Sequence, residues 1–121
     1  MLLTVLDGNG TAQKVIVQGQ EAITDSSGSI AVTGTAQQAA ASNATRSGFF
    51  FQNLGVNNMG FSDTGTAAFV PASTTKVLSG TILVAPGGVL EGGTGSANYP
   101  VSVNAYSVIG TASDNFTLRQ W

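Results

Sequence analysis

The chain has 121 residues, enough for one domain that buries roughly two-thirds of its unfolded surface. It holds no cysteine and no histidine, which removes disulfides, thiolate metal sites, the Ser-His-Asp arrangement and nearly all zinc chemistry. Charged residues are 8% of the chain against about 25% in an average soluble protein, and the four basic ones, at 14, 46, 76 and 119, are too scattered to form a nucleic-acid stripe.

The opening segment alternates loosely over residues 2–6 and stops at Asp7-Gly8-Asn9-Gly10, a tight-turn sequence. Residues 13–17 supply a return strand, so an amino-terminal hairpin is predicted. The Asp-x-Asn start resembles a calcium loop, but Ala12 and Gln18 stand where an EF-hand needs Gly and Glu. Meeting Asp7 at once and lacking a basic region, the opening is expected to be neither a signal peptide nor a membrane span. A short strand is predicted over 30–33, and 36–44, with three consecutive alanines, is the only helix-compatible piece.

Arg46-Ser47-Gly48-Phe49-Phe50-Phe51-Gln52-Asn53 is the densest apolar stretch. Three adjacent aromatics bounded by glycines predict a strand. Phe49 and Phe51 point to one face and Phe50 to the other, so the strand is expected to be central and covered on both faces. Phe49, Phe50 and Phe51 are predicted core, and the amides of Gln52 and Asn53 are placed to satisfy backbone groups where the ladder ends.

Beyond it, 56–61 is predicted to turn into a partner strand carrying Met59 and Phe61 on one face. Residues 67–70 form a strand closed by Pro71, and 76–85 the longest strand, with Gly80 marking a bulge. Pro86-Gly87-Gly88 is a type II turn sequence, followed by a short strand at 89–91 and a Gly-rich loop to Pro100. The alternation of Val101, Val103 and Ala105 shifts phase at Tyr106 and Val108, implying a bulge near 105 or a strand that turns a corner. A turn through 110–114 leads to the closing strand 116–121. Eight or nine short strands at this spacing predict an all-β, antiparallel β-sandwich, jelly-roll-like, as a single domain over 1–121.

Two short motifs carry chemistry elsewhere. Ser73-Thr74-Thr75-Lys76 fits S-x-x-K and Ser113-Asp114-Asn115 fits S-D-N, yet the first runs into strand-like sequence and K-T-G is missing. Asp63 with Asp114, or Glu91 with either, could pair as glycosidase carboxylates, but acids beside Gly, Ser or Asn are turn-formers. No catalytic, cofactor-binding or metal residue is assigned, and no enzyme is expected. Arg46 and Arg119 have two readings. Each caps a strand end by bonding a loop carbonyl, or both dock with Trp121 on another chain, since Arg and Trp are favoured interface anchors.

Three segments together resemble a known group. Residues 43–53, with their N-x-x-R-x-G-hydrophobic-Q-N pattern, the Pro86-Gly87-Gly88 turn, and Tyr106-Ser107-Val108-Ile109-Gly110 with the closing Phe116-Thr117-Leu118-Arg119-Gln120-Trp121 are similar to small virion structural proteins of tailed bacteriophages, of the head decoration or cement type. Gln120 departs from that pattern, where an acid is common, as does Met59-Gly60, where a bulky aromatic is common. The resemblance implies a β-sandwich without catalytic residues that binds the major capsid protein. It would be a homo-oligomer (dimer or trimer) on the capsid exterior, assembled in the host cytoplasm, with no cofactor, nucleic acid or membrane as partner. The alternative is a tail-fibre or baseplate-associated sandwich contacting host glycan or another virion protein, with Tyr99 as its exposed aromatic.

Overall fold

The phenylalanine-rich run forms β6 (Gly48–Asn53), an interior strand paired with β11 (Asn115–Gln120) on one side and β9 (Val89–Gly93) on the other. In this computed structural model, residues 22–93 and 101–121 are described in full, and 2–6 and 12–16 through their backbone. Two short strands, β3 (Thr24–Asp25) and β4 (Gly28–Ser29), both pair with β11 and complete a five-stranded sheet. A second, four-stranded sheet has the order β5 (Gln37–Ala40), β10 (Tyr106–Ile109), β7 (Met59–Ser62), β8 (Ile82–Val84). All pairings are antiparallel.

The topology is that of a jelly roll. β4 pairs with β11, β5 with β10, β6 with β9 and β7 with β8, so the chain is one long hairpin closed by the β7–β8 connection. Rolling that hairpin brings β11 beside β6 and β10 beside β7, which divides it into two sheets. Four loops, β4–β5, β6–β7, β8–β9 and β10–β11, gather at one end of the sandwich; Trp121 and the start and finish of the β7–β8 connection lie at the other, and the tip of that connection folds back along the four-stranded sheet until Thr74 O accepts from the Asn58 side chain. The predicted amino-terminal hairpin is present as β1 (Leu2–Leu6) and β2 (Ala12–Ile16), which pair with each other and form a separate two-stranded sheet.

The core follows from the two-residue period of the strands. Phe49, Phe51, Phe116 and Leu118 of one sheet meet Met59, Phe61, Tyr106 and Val108 of the other. Phe61 sits between Phe49 and Phe51, with ring centroids 5.6 and 4.9 Å away, and Tyr106 packs edge-on to Phe49 at 5.1 Å. Aromatic pairs of this geometry contribute about 0.5–1.5 kcal/mol each beyond the burial of their area.

Several expectations need correction. β6 is covered on one face only: Phe49, Phe51 and Asn53 are fully buried, whereas Phe50 and Gln52 are half-buried on the outer face of the five-stranded sheet. Residues 37–40 of the helix-compatible piece, including two of its three consecutive alanines, form β5, because pairing with β10 outweighs a propensity of a few tenths of a kcal/mol per residue. The strand expected at 30–33 is a loop behind β4, with Ile30 buried as its anchor. The strands expected at 67–70 and, longest of all, at 76–85 shrink to an isolated bridge, Phe69 to Val77, and to β8; Gly80, at φ 87°, turns the chain between them. β7, although it follows β6 directly, lies in the opposite sheet. The break expected near 105 corresponds to a register shift in the β10–β5 pairing between Tyr106 and Ser107, and Pro86-Gly87 makes the type II turn, with Gly87 at φ 78° and Gly88 N donating to Ala85 O at 2.8 Å.

Candidate functional site

The charged side chains fall into three settings. Arg46 turns inward, 5% exposed. Its Nε donates to Gln120 Oε1 at 2.7 Å, one terminal nitrogen donates to the carbonyls of Ser102 and Asn104, and the other to that of Ala41, each at 2.8 Å. The guanidinium carbon also lies 3.9 Å from the Tyr106 ring centroid. Arg46 therefore fastens the β5–β6 loop to the segment before β10 and to β11; its donors serve this chain, as in the first of the two readings.

Arg119 and Trp121 are placed together on the outer face of the five-stranded sheet. Cross-strand register sets Asp25, Arg119, Phe50 and Glu91 in one row across β3, β11, β6 and β9, and directly opposed residues share a face. Asp25 and Ser27 form a local turn: Ser27 holds the Asp25 carboxyl below its ordinary value through its side chain and its N–H, with Arg119 adding a smaller pull. Trp121 is half-buried. Its carbonyl accepts from Ser47 N and Gly48 N and its N–H donates to Gly48 O, while its indole lies where a Cβ of Gly48 would be. Phe50 and Trp121 thus share this outer face with the exposed Val89.

The third setting is the loop end, whose four loops hold no charged side chain. Residues 30–36, 54–58, 85–88 and 110–113 contain no charged side chain, yet they expose Val32, Leu54 and Val56, the last at 84%. Asp114, buried beneath them, accepts from Asn57 N at 3.2 Å, and Gly55 is seated against its carboxyl group. The loops are stitched to one another. Ile30 N donates to Asp114 O, Ser113 N to Ile30 O, Gly34 N to Gly110 O and Leu54 N to Asn115 O. Ala112 N donates to Thr33 Oγ1 at 2.9 Å. Asn53 places its side-chain amide on the carbonyls of Asn57 and Val84 and receives Gly55 N, and its main chain bonds Gly87 and Gly88. The result is a preorganised, uncharged platform with apolar tips. Sequence reasoning missed it, although four turn segments free of charge and carrying Val32, Leu54 and Val56 were the available signal.

The other sequence candidates separate. Ser73 Oγ accepts from Thr75 N and Lys76 N, a side-chain-capped turn and not the helix start that S-x-x-K chemistry needs. Asp63 follows β7 whereas Asp114 lies beside the loop that precedes it, so the two carboxylates sit at opposite ends of the sandwich; Glu91 is on the outer sheet face. Among the described residues no three His, Cys, Asp or Glu side chains gather as metal ligands. Tyr99 lies outside the described residues. No protein-family model, curated protein or solved structure matches this chain, so its site is defined by geometry alone.

Proposed function

We propose that this chain is a non-enzymatic bacteriophage head decoration (cement) protein that docks on the major capsid protein at the capsid exterior and stabilises the shell. The observation that carries the reading is the loop platform: four loops without charged side chains, cross-linked by hydrogen bonds and apolar at their tips. It is the kind of surface that gains by being covered and loses little ordering entropy when it is. Jelly rolls occur in viral capsid and in lectin domains, and the fold by itself does not choose between them. The exposed methyl groups of Val32, Leu54 and Val56 support protein over sugar, while Thr33, Thr35, Asn57 and Ser113, exposed in the same loops, keep the glycan reading open to the test below.

Adding the purified chain to capsids that lack it tests the reading. Binding confined to the assembled shell raises shell stability by mass action, about 2.7 kcal/mol at a free concentration one hundred times the dissociation constant. The expected result is co-sedimentation with shells and a higher disruption temperature, both lost in Val56→Asp with the fold intact. Shells that neither retain the protein nor gain stability would refute it, and sugar-dependent retention on a glycan array would assign the chain to host recognition.

A further inference from the structure

The row Asp25, Arg119, Phe50, Glu91 is asymmetric about β6. Arg119 flanks Phe50 on the β11 side and Glu91 flanks it on the β9 side, each one strand away and each exposed. A face patterned plus, apolar, minus is complementary to itself under one symmetry operation. A two-fold axis parallel to the strands and passing over β6 carries the Arg119 side onto the Glu91 side. It sets Arg119 of each copy against Glu91 of the other and brings Phe50 against Phe50. An axis at right angles, along the row, would instead set Arg119 on Arg119 and Glu91 on Glu91, which is repulsive.

We propose that the outer face of the five-stranded sheet is the interface of an isologous dimer of this chain, with the two-fold axis parallel to the strands. The sheets stack about 10 Å apart in the aligned manner of sandwich layers. Trp121, seated on Gly48 two residues along β6 from Phe50, lies beside the axis and meets the second copy together with Phe50. Val89 extends the apolar strip, with Gln52 and Thr117 in its row. Strands of six residues about 3.3 Å apart, in a sheet of about 4.8 Å spacing, give a flat footprint on the order of 400 Å² per copy. That is the scale of a weak, reversible dimer, held in register by its two Arg–Glu pairs and centred on aromatic anchors. The proposal stands whatever the loop platform binds.

Sedimentation velocity of the whole chain over a wide concentration range tests it, with Arg119→Glu, Glu91→Arg and the double reversal. Both side chains are exposed, so the substitutions leave the core untouched, and thermal unfolding checks that they do. The wild type is expected to pass from one chain to two as concentration rises, and to do so less readily at high salt. Each single reversal opposes like charges and weakens dimerisation at least about tenfold, whereas the double reversal, which restores opposite pairs, recovers most of it. Glu91→Arg is the cleaner single variant, because Arg119→Glu also faces Asp25 within its own chain. A mass of one chain at every concentration overturns the proposal. So does an oligomer that the single reversals leave intact, or one that the double reversal fails to restore.

Discussion

A buried arginine with four hydrogen bonds is a stability determinant, and Arg46 is the residue on which the far end of the sandwich depends. Lysine keeps the charge but carries its donors on one atom, which cannot reach acceptors from Ala41, Ser102, Asn104 and Gln120 together. Each acceptor left without a donor costs about 1–3 kcal/mol. Arg46→Lys is therefore expected to lose about 2–4 kcal/mol in equilibrium urea unfolding, a large share of the 5–15 kcal/mol typical of a domain. A loss within 0.5 kcal/mol, roughly the scatter of surface substitutions, would contradict this role. Gly48 makes a second residue-scale prediction. A methyl group there must displace the indole of Trp121, the chain's single tryptophan. Gly48→Ala should cost about 1–3 kcal/mol, as overpacking does, and should move the emission of that tryptophan to longer wavelength. An unchanged spectrum would mean that Trp121 is not seated on β6. Neither role could be read from residue type. Arginine and tryptophan as interface anchors is a statistical preference, and what separates Arg46 from Arg119 is that one points into a loop crossing and the other out from a strand.

At the scale of elements, the strands visible in the sequence are those whose apolar residues either alternate or run together, and whose ends carry turn chemistry. β6, β7, β9 and β11 qualify, as does the hairpin of β1 with β2. What was illegible was decided by tertiary neighbours. β5 holds Gln37, Gln38 and two alanines, a composition without strand character, and it extends because β10 presents an unpaired edge. Phe50 appeared to need a second covering layer, since strand periodicity says which face a side chain takes but not what lies over that face. Residues 67–81 misled in the opposite sense: their apolar residues serve local packing. Ala67 and Ile109 are buried outside the main core, and Val77 reaches toward Gly60 on the outer side of the four-stranded sheet. This connection is thus a flap held by one bridge and a few side-chain bonds, and Lys76 is exposed upon it. Limited trypsin digestion read by mass spectrometry is expected to cut after Lys76 well before Arg46, because cleavage needs local opening and the flap has little to open. Cleavage at Arg46 first would show that the β5–β6 loop is the weaker segment.

For the whole molecule, the direction of the proposed dimer axis decides what a pair of copies presents. An axis along the strands leaves both sandwiches running the same way, so the two loop platforms emerge side by side at one end. Such a dimer, docked on a regular shell through two platforms, would bind bivalently, and linked sites gain about 10²–10⁴ in apparent affinity over one when their spacing matches. Two substitutions then separate the surfaces. Glu91→Arg should reduce apparent affinity for shells by about that factor while each platform keeps its intrinsic affinity, measurable at high protein concentration. Val56→Asp should abolish shell binding and leave the dimer unchanged in sedimentation. Ionic strength divides them again: the four platform loops carry no charged side chain, so attachment at their tips should change little with salt, whereas screening should weaken the Arg–Glu pairs of the proposed dimer. Tight shell binding by Glu91→Arg, with the variant shown to be monomeric, would mean that one platform suffices and that the two surfaces act independently.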